Sequence, residues 1–335
     1  GKLFMDEKRA KNLAEKFFAE LQEQIVSNSK ASKKVIQQYR SSLQVGSSRD
    51  WQRLIKAFEQ NSINLCSYKV GTGKKLTLYN LILEIADLNP NHNWEEDGLI
   101  GEVETYSIKA KDMIKLVIFH ISKHCIYRIF ERNYRTAKSK GSEYYSLDLI
   151  YNELKFVPIF SAILRSIFIN LPGDGKGILN GLSIIVPSPN GILLCEVSQF
   201  VIFVRTYIND DTMTEDQAGI RTQLLSIIGN NSKGLFNFFP FFETKFSSVK
   251  FMASEYLLEV ISSNLVHIWN KNFNITQKSC RDDDFKLRQT LIKYDEKYEN
   301  LRKQIVHFQE YTWAEYLPAL EKILQKEKRT QPEVL

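Results

Sequence analysis

A histidine and two arginines recur at four-residue intervals within the segment ISKHCIYRIFERN. They are His124, Arg128 and Arg132. Residues four apart lie on the same side of an α-helix, so this spacing predicts a helix face that carries one imidazole and two guanidinium groups. Imidazole exchanges protons near neutral pH, and guanidinium binds phosphate through paired hydrogen bonds. These are the groups needed to cleave RNA without a metal, with His124 as the base or acid.

The helix that must position these groups is expected to begin at Lys123. Ser122 precedes it, and its hydroxyl can accept a hydrogen bond from a free amide of the first turn. The opposite side of the helix is apolar and predicts a buried face, formed by Cys125, Ile126, Ile129 and Phe130. A solvated basic face with a capping or packed histidine is the ordinary alternative for such a helix.

Positive charge is concentrated on this helix and on the segment that follows it. Between residues 123 and 142 there are six basic residues and one acid, Glu131. The free amides and the dipole of the helix N-terminus add to the attraction for anions. The region is therefore predicted to bind RNA phosphates through Lys123, Arg128, Arg132, Arg135, Lys138 and Lys140.

The composition is that of a folded protein with more than one domain. The chain has 335 residues, of which 43% are hydrophobic and 12% aromatic. Its four cysteines form no C-x-x-C pair, which argues against a zinc knuckle or disulfide framework and predicts a cytoplasmic location. The longest apolar run, residues 156–171, contains Pro158 and Arg165 and is too short to span a bilayer, so no membrane association is expected.

Hydrophobic periodicity divides the chain into three parts. Residues 5–98 are predicted to form an N-terminal helical lobe, residues 99–229 an α+β core and residues 230–335 a C-terminal helical lobe. In the first lobe, Leu76–Ile85 is predicted to be a helix. The core is expected to contain a helical insertion at about 146–171.

Strands are predicted where the hydrophobic period approaches two. Val103–Ala110 and Met113–Ile121 are expected to form a hairpin with its turn at Lys111-Asp112. Residues 182–208 are expected to form a meander of three antiparallel strands. The predicted fold class is α+β, with a small antiparallel sheet against which the His124 helix packs.

The order His124-Cys-Ile-Tyr-Arg128-Ile-Phe-Glu131-Arg132 resembles the His-Arg helix of the BrnT-like toxins. These belong to the RelE-type ribonuclease toxins of the barnase, EndoU, colicin and RelE fold group, in which a helix packs on a small antiparallel sheet. Residues 200–208 are similar to the late strand of that group, with Thr206 as its hydroxyl residue. The resemblance, over residues 103–211, implies that His124, Arg128 and Thr206 act in catalysis and that Arg132 binds phosphate.

Together these features predict a metal-independent endoribonuclease of toxin or phage-defence type that needs no cofactor. RNA is the expected partner, and the resemblance implies a protein antitoxin or inhibitor. The helical lobes offer surface for a homo-oligomer, and Lys176, in a glycine-rich loop, is expected to touch phosphate if the loop folds over the site. The alternative is a non-catalytic nucleic-acid-binding or protein-interaction module that uses the same basic face.

Metal-dependent chemistry has less support from the sequence. Nucleases of the PD-(D/E)xK type carry the E-x-K triplet on a strand, whereas Glu153-Leu-Lys155, after Asp148, lies in a helical pattern. The three acids at 282–284 are explained by the dipole at a helix start. No metal site is predicted.

Overall fold

The structure is a computed structural model of the chain. It describes residues 6–42, 56, 64–70, 77–85, 98–107, 114–133, 147–171, 179–228, 249–277 and 282–303. All structural statements below refer to these residues. The predicted RNA-binding residues Arg135, Lys138, Lys140 and Lys176 lie outside them.

The described residues up to 171 form one long helix, four strands and three shorter helices. They are α1 (Glu7–Ser42), β1 (Asn64–Val70), β2 (Thr77–Ile85), β3 (Leu99–Ser107), β4 (Ile114–Ile121), α2 (Lys123–Arg132), α3 (Leu147–Glu153) and α4 (Val157–Asn170).

Three strands and five further helices are formed by the described residues from 179 to 303. They are β5 (Leu182–Ser188), β6 (Gly191–Ser198), β7 (Val201–Asn209), α5 (Glu215–Ile228), α6 (Val249–Lys271), α7 (Phe273–Thr276), α8 (Asp282–Lys297) and α9 (Glu299–Arg302), with a 3-10 turn at Asp210–Thr212 between β7 and α5. Among the helices in the described ranges, none has both the length and the apolar character needed to cross a membrane.

The strands form a mostly antiparallel sheet in the order β1-β2-β3-β4-β7-β6-β5. β1 to β4 are an antiparallel meander, whereas β7 lies parallel to β4, with Phe119 opposite Ile202 and Ile121 opposite Val204. The parallel pair needs a crossover, and α2 begins that connection directly after β4. The predicted α+β fold class, with helices toward both ends of the chain, is confirmed.

The chain divides into two compact units. The first comprises Gly1–Lys155, Ser188–Leu194 and Val201–Thr212, and the second comprises Phe156–Pro187, Cys195–Phe200 and Met213–Leu335. These limits differ from the predicted boundaries at 98/99 and 229/230, which stay predictions.

In the first unit, α1 and α2 pack against each other through apolar side chains. The buried face of α1 includes Phe17, whose ring meets that of Phe130 on α2 edge to face, with 5.6 Å between centroids. Ala10 and Leu13, also buried, pack against Tyr127 of α2. The spacing of these α1 residues is that of one helix face, so their burial fixes which polar residues of α1 lie beside α2.

The second unit is built around α6. This helix contacts α4, α5 and α8 through buried residues such as Val260, Ile261 and Leu265. The side chain of Gln277 makes two hydrogen bonds with the backbone of Ser183. Its Oε1 accepts from the Ser183 amide at 3.2 Å, and its Nε2 donates to the Ser183 carbonyl at 2.7 Å.

Two predictions of helices are corrected by the structure. The segment predicted as a helix over Leu76–Ile85 is strand β2, whose alternate residues Tyr79, Leu81 and Leu83 are buried and which pairs with β1 and β3 on its two sides. The single helix expected over the 146–171 insertion is two helices, α3 and α4. Proline is favoured in a first helical turn, where no amide donor is needed, and Pro158 accordingly lies at the start of α4.

Candidate functional site

The first turn of α2 is fixed to β7 by Ser122. Its hydroxyl accepts from the amide of Cys125 at 3.0 Å and donates to the carbonyl of Arg205 at 2.8 Å. The amide of Ser122 donates to the carbonyl of Val204 at 3.0 Å. The predicted cap is therefore confirmed, and it also attaches the helix to the sheet.

His124 lies half-buried in this first turn and is held by Tyr127. The Tyr127 hydroxyl is hydrogen-bonded to Nδ1 of the imidazole, and the two rings meet at 83° with 4.6 Å between centroids. Burial, followed by the charges of Arg128 and Arg132, holds the pKa of His124 below its ordinary value. The neutral imidazole is therefore favoured at neutral pH.

A pocket of about 410 Å³ lies between α1 and α2 beside this imidazole. Its walls are Lys11, Ala14, Glu15 and Phe18 from α1 and Lys123, His124 and Tyr127 from α2. Lys11 Nζ lies 5.4 Å from the centroid of the Tyr127 ring, and Lys123 Nζ lies 5.3 Å from that of Phe18. The pocket thus combines an imidazole, a phenol and a carboxyl with two ammonium groups.

The two predicted phosphate-binding arginines of α2 are engaged within the protein. Arg128 Nη1 donates to Glu131 Oε2 at 2.7 Å, and its guanidinium lies 5.4 Å from the Tyr127 ring centroid. Arg132 Nη1 donates to the backbone carbonyl of Tyr207. Arg132 thus helps to hold α2 on β7, whereas Arg128 contributes positive charge near His124.

Thr206 lies on β7 between exposed Arg205 and buried Tyr207 and is half-buried. The Tyr207 hydroxyl donates to Asn133, directly after α2, at 3.4 Å. Neighbouring residues of a strand point to opposite faces, so the side chain of Thr206 points away from that of Tyr207. In the described part of the chain, the contacts of His124 and Arg128 are made within α1 and α2 rather than with Thr206.

Glu153 is buried rather than open to a metal ion. Its carboxyl accepts from the hydroxyl of Ser188 and from the amide of Asn190, the latter at 2.6 Å. Burial raises its pKa, although these hydrogen bonds oppose the shift. Lys155 is exposed, so the E-x-K triplet of the sequence has its two charged ends in different environments.

A second group of titratable residues lies on β2, β3 and β4. The carboxylate oxygens of Glu84, Glu102 and Glu104 are all within 4.8 Å of one another, an arrangement that could hold a metal ion. Lys115 of β4 pairs with all three, with its Nζ 3.3 Å from Glu84, 3.7 Å from Glu102 and 3.3 Å from Glu104. Burial, followed by the neighbouring carboxyl group of Glu84, raises the pKa of Glu102 to about 7.

Comparison with protein-family models, with curated proteins and with solved structures finds no match. The assignment of function therefore depends on the geometry of these two groups of residues.

Sequence patterns identified Lys123 and His124 on the α2 side of the pocket, but neither Tyr127 nor the α1 side. Lys11 was not predicted, because nothing local to α1 specifies the helix against which it packs. The helical spacing of Lys11, Ala14 and Phe18 was a usable signal, since it places them on one face. The pair Glu102 and Glu104 was a comparable signal for one face of a strand.

Proposed function

We propose that the pocket between α1 and α2 cleaves RNA by a metal-independent mechanism in which His124 is the general base. The observation that carries this proposal is that His124, hydrogen-bonded to Tyr127, lines an open pocket together with Lys11 and Lys123. An ammonium group on each helix can bind the scissile phosphate, while the imidazole faces the same space. Acid-base catalysis needs these groups within reach of one substrate.

The hydrogen bond from His124 to Tyr127 selects the ring nitrogen that can act. When Nδ1 carries the proton and donates it to the phenol oxygen, Nε2 is left as an acceptor. The lowered pKa keeps this neutral form available, because burial and the nearby arginine charges disfavour the imidazolium.

The reaction proceeds by attack of the ribose 2′-oxygen on the adjacent phosphorus. Nε2 of His124 takes the 2′-hydroxyl proton, the 2′-oxygen forms a bond to phosphorus, and the bond from phosphorus to the 5′-oxygen breaks. The leaving 5′-oxygen takes the phenolic proton of Tyr127, which is replaced by the Nδ1 proton of His124. Lys11 and Lys123 stabilise the charge of the crowded phosphorus intermediate. The products are a 2′,3′-cyclic phosphate and a free 5′-hydroxyl.

This proposal changes the roles that the sequence predicted for two residues. Arg128 acts by lowering the pKa of His124 and adding positive potential, and Arg132 acts as a positioning residue through the Tyr207 carbonyl. A catalytic contact from Thr206 stays a prediction. Phosphate binding by Arg135, Lys138, Lys140 and Lys176 likewise stays a prediction.

The test is cleavage of a fluorescent RNA in EDTA by the purified full chain. General acid-base groups contribute about 10²- to 10⁴-fold to rate, so His124→Ala should reduce cleavage by a factor in that range. Tyr127→Phe keeps the ring but removes the proton donor and should also reduce the rate. Lys11→Gln should weaken cleavage, whereas Lys8→Gln, an exposed lysine of the same helix that does not line the pocket, should not.

The competing function is RNA or protein binding without cleavage. The ion pair of Arg128 with Glu131 favours this alternative over catalysis, because a guanidinium already paired with a carboxylate is less available to stabilise the charge that develops on a reacting phosphate. Binding of the same RNA that is lost in Lys11→Gln, with no cyclic-phosphate product from the wild type, would establish the binding module and exclude the nuclease.

A toxin or phage-defence role in the cytoplasm, with a protein inhibitor and self-association, is part of the same proposal. Among the described residues, Cys125 and Cys195 are buried as thiols and not joined in a disulfide, which fits a reducing compartment. Expression of the wild type should arrest growth of a host cell, and His124→Ala should not. Equal growth of the two strains would contradict the toxin role.

A further inference from the structure

The carboxyl groups of Glu84, Glu102 and Glu104 are brought together by the register of three strands. Glu102 and Glu104 alternate on β3 and therefore share one face of the sheet. Glu102 pairs with Ile82 of β2, which is two residues from Glu84 and on its face, and Glu104 pairs with Lys115 of β4. The strands thus hold these three carboxyl groups and the Lys115 ammonium at one place, and none of the four residues lines the pocket between α1 and α2.

Lys115 does not complete the hydrogen bonding of this cluster. Glu102 is 9% exposed, and its buried Oε2 has no hydrogen-bond partner among the described residues. The nearest cationic atom, Lys115 Nζ, is 3.7 Å away. A buried carboxylate oxygen accepts hydrogen bonds or coordinates a metal, and leaving it without either partner is costly. The cluster therefore has a buried oxygen directed at its centre that its own lysine does not satisfy.

We propose that Glu84, Glu102 and Glu104 bind one hard divalent cation, Mg²⁺ or Mn²⁺, in competition with the ammonium group of Lys115. Carboxylate oxygens are the ligands that these ions prefer, and three of them leave coordination positions for water. The Lys115 side chain is 40% exposed, so its ammonium can leave the cluster for solvent when the cation enters. One divalent ion compensates the three carboxylates better than one ammonium does.

This site goes beyond the proposed function and does not rest on it, since cleavage at His124 needs no metal. The two proposals fail separately. EDTA-resistant cleavage tests the pocket, whereas direct cation binding tests the cluster.

The experiment is a titration of Mn²⁺ with the full chain, followed by the electron paramagnetic resonance signal of free Mn²⁺. The wild type should bind about one Mn²⁺ per chain, and Mg²⁺ should displace it. Glu84→Gln and Glu104→Gln each remove one ligand without changing side-chain size and should weaken binding by about tenfold or more. Lys115→Gln removes the competing positive charge and should therefore tighten the binding of Mn²⁺. Glu296→Gln, at an exposed position on α8, is the matched control and should bind as the wild type does.

Circular dichroism of each variant without metal shows whether it folds. If Glu104→Gln does not fold because Glu104 is more buried, the Mn²⁺ affinity of Glu84→Gln tests the proposal, since the Glu84 side chain is 29% exposed. The proposal is overturned if the wild type leaves the Mn²⁺ signal unchanged or if a folded Glu84→Gln binds as tightly as the wild type. If Lys115→Gln binds Mn²⁺ more weakly than the wild type, the proposed competition is refuted, because Lys115 would then help to position the carboxylates for the ion.

Discussion

Replacement of Ser122 by alanine should loosen α2 from the sheet. The substitution removes the acceptor of the Cys125 amide and the donor to the Arg205 carbonyl. Loss of a serine cap costs about 1 kcal/mol, and a buried carbonyl left without its donor costs about 1–3 kcal/mol. Ser122 is 6% exposed, so water cannot readily replace both partners. We expect the free energy of opening of α2 to fall by about 2–3 kcal/mol.

Hydrogen exchange of the α2 amides measures this effect locally, which matters because a chain with two compact units need not unfold in one step. A fall of 2–3 kcal/mol corresponds to exchange faster by about 30- to 150-fold, since about 1.4 kcal/mol is a factor of ten. Ser122→Thr keeps the hydroxyl and should restore most of the protection. Ser226→Ala, which removes an exposed hydroxyl from α5, should change protection little.

The reasoning is refuted if Ser122→Ala leaves exchange of the α2 amides within about threefold of the wild type, less than 1 kcal/mol. That result would mean that packing alone holds the helix and that the cap adds nothing. Equal loss of protection in Ser122→Thr would instead show that the hydroxyl is not the relevant group.

Four further predictions concern three positions in the first unit and one position on α5 in the second. The RNA cleavage rate should rise with pH to a plateau with a midpoint below the ordinary histidine pKa of about 6.5, because neutral His124 is the base; a midpoint above this value would contradict the assignment. Gly101→Ala should destabilise the fold by about 1–3 kcal/mol in denaturant unfolding, because the added Cβ would lie 2.1 Å from the Phe119 ring. Gly219→Ala, which meets nothing within 4 Å on α5, should be stabilising by about 0.5–1 kcal/mol. The raised pKa of Glu153 means that ionisation opposes folding, so wild-type stability relative to Glu153→Gln should fall as pH rises through and above the ordinary glutamate range, and an opposite slope would refute this.

Sequence patterns correctly predicted those elements whose structure is determined by residues close together in the sequence. The Ser122 cap, the apolar face of α2 and the β5–β6–β7 meander agree with the structure because caps, helix faces and strand alternation repeat over a few residues. The order Thr214-Glu-Asp-Gln217 is typical of a capping box, and the two residues form its reciprocal hydrogen bonds, at 3.0 and 3.2 Å, at the start of α5.

Strand register was the main feature that the sequence did not reveal. A two-residue turn at Lys111-Asp112 would pair Ala110 with Met113, whereas the structure pairs Thr105 with Ile114. The different register brings Lys115 opposite Glu104 instead of leaving it near the turn. The carboxylate cluster therefore depends on a register that the alternation of apolar residues did not fix.

Strand β2 shows that strand pairing can also decide whether a segment is a helix or a strand. The segment TLYNLILEI has enough apolar residues to suit either a helix or a buried strand, and its pairing on both sides decides the outcome. Lys11 was missed for a related reason, because packing of α1 on α2 joins residues more than a hundred positions apart.

The parallel pairing of β4 with β7 has a consequence for how the protein is made. The ribosome synthesises the α2 helix about seventy residues before the Val204 and Arg205 carbonyls to which Ser122 is bonded. A nascent chain that ends before β7 has α1 and α2 but lacks the strand that anchors the first turn. Contacts between such distant parts of a chain form slowly, because the intervening loop must first be ordered. We therefore expect the His124 pocket to reach its final geometry only after synthesis has passed β7, when residues 213–335 of the second compact unit are still to be made.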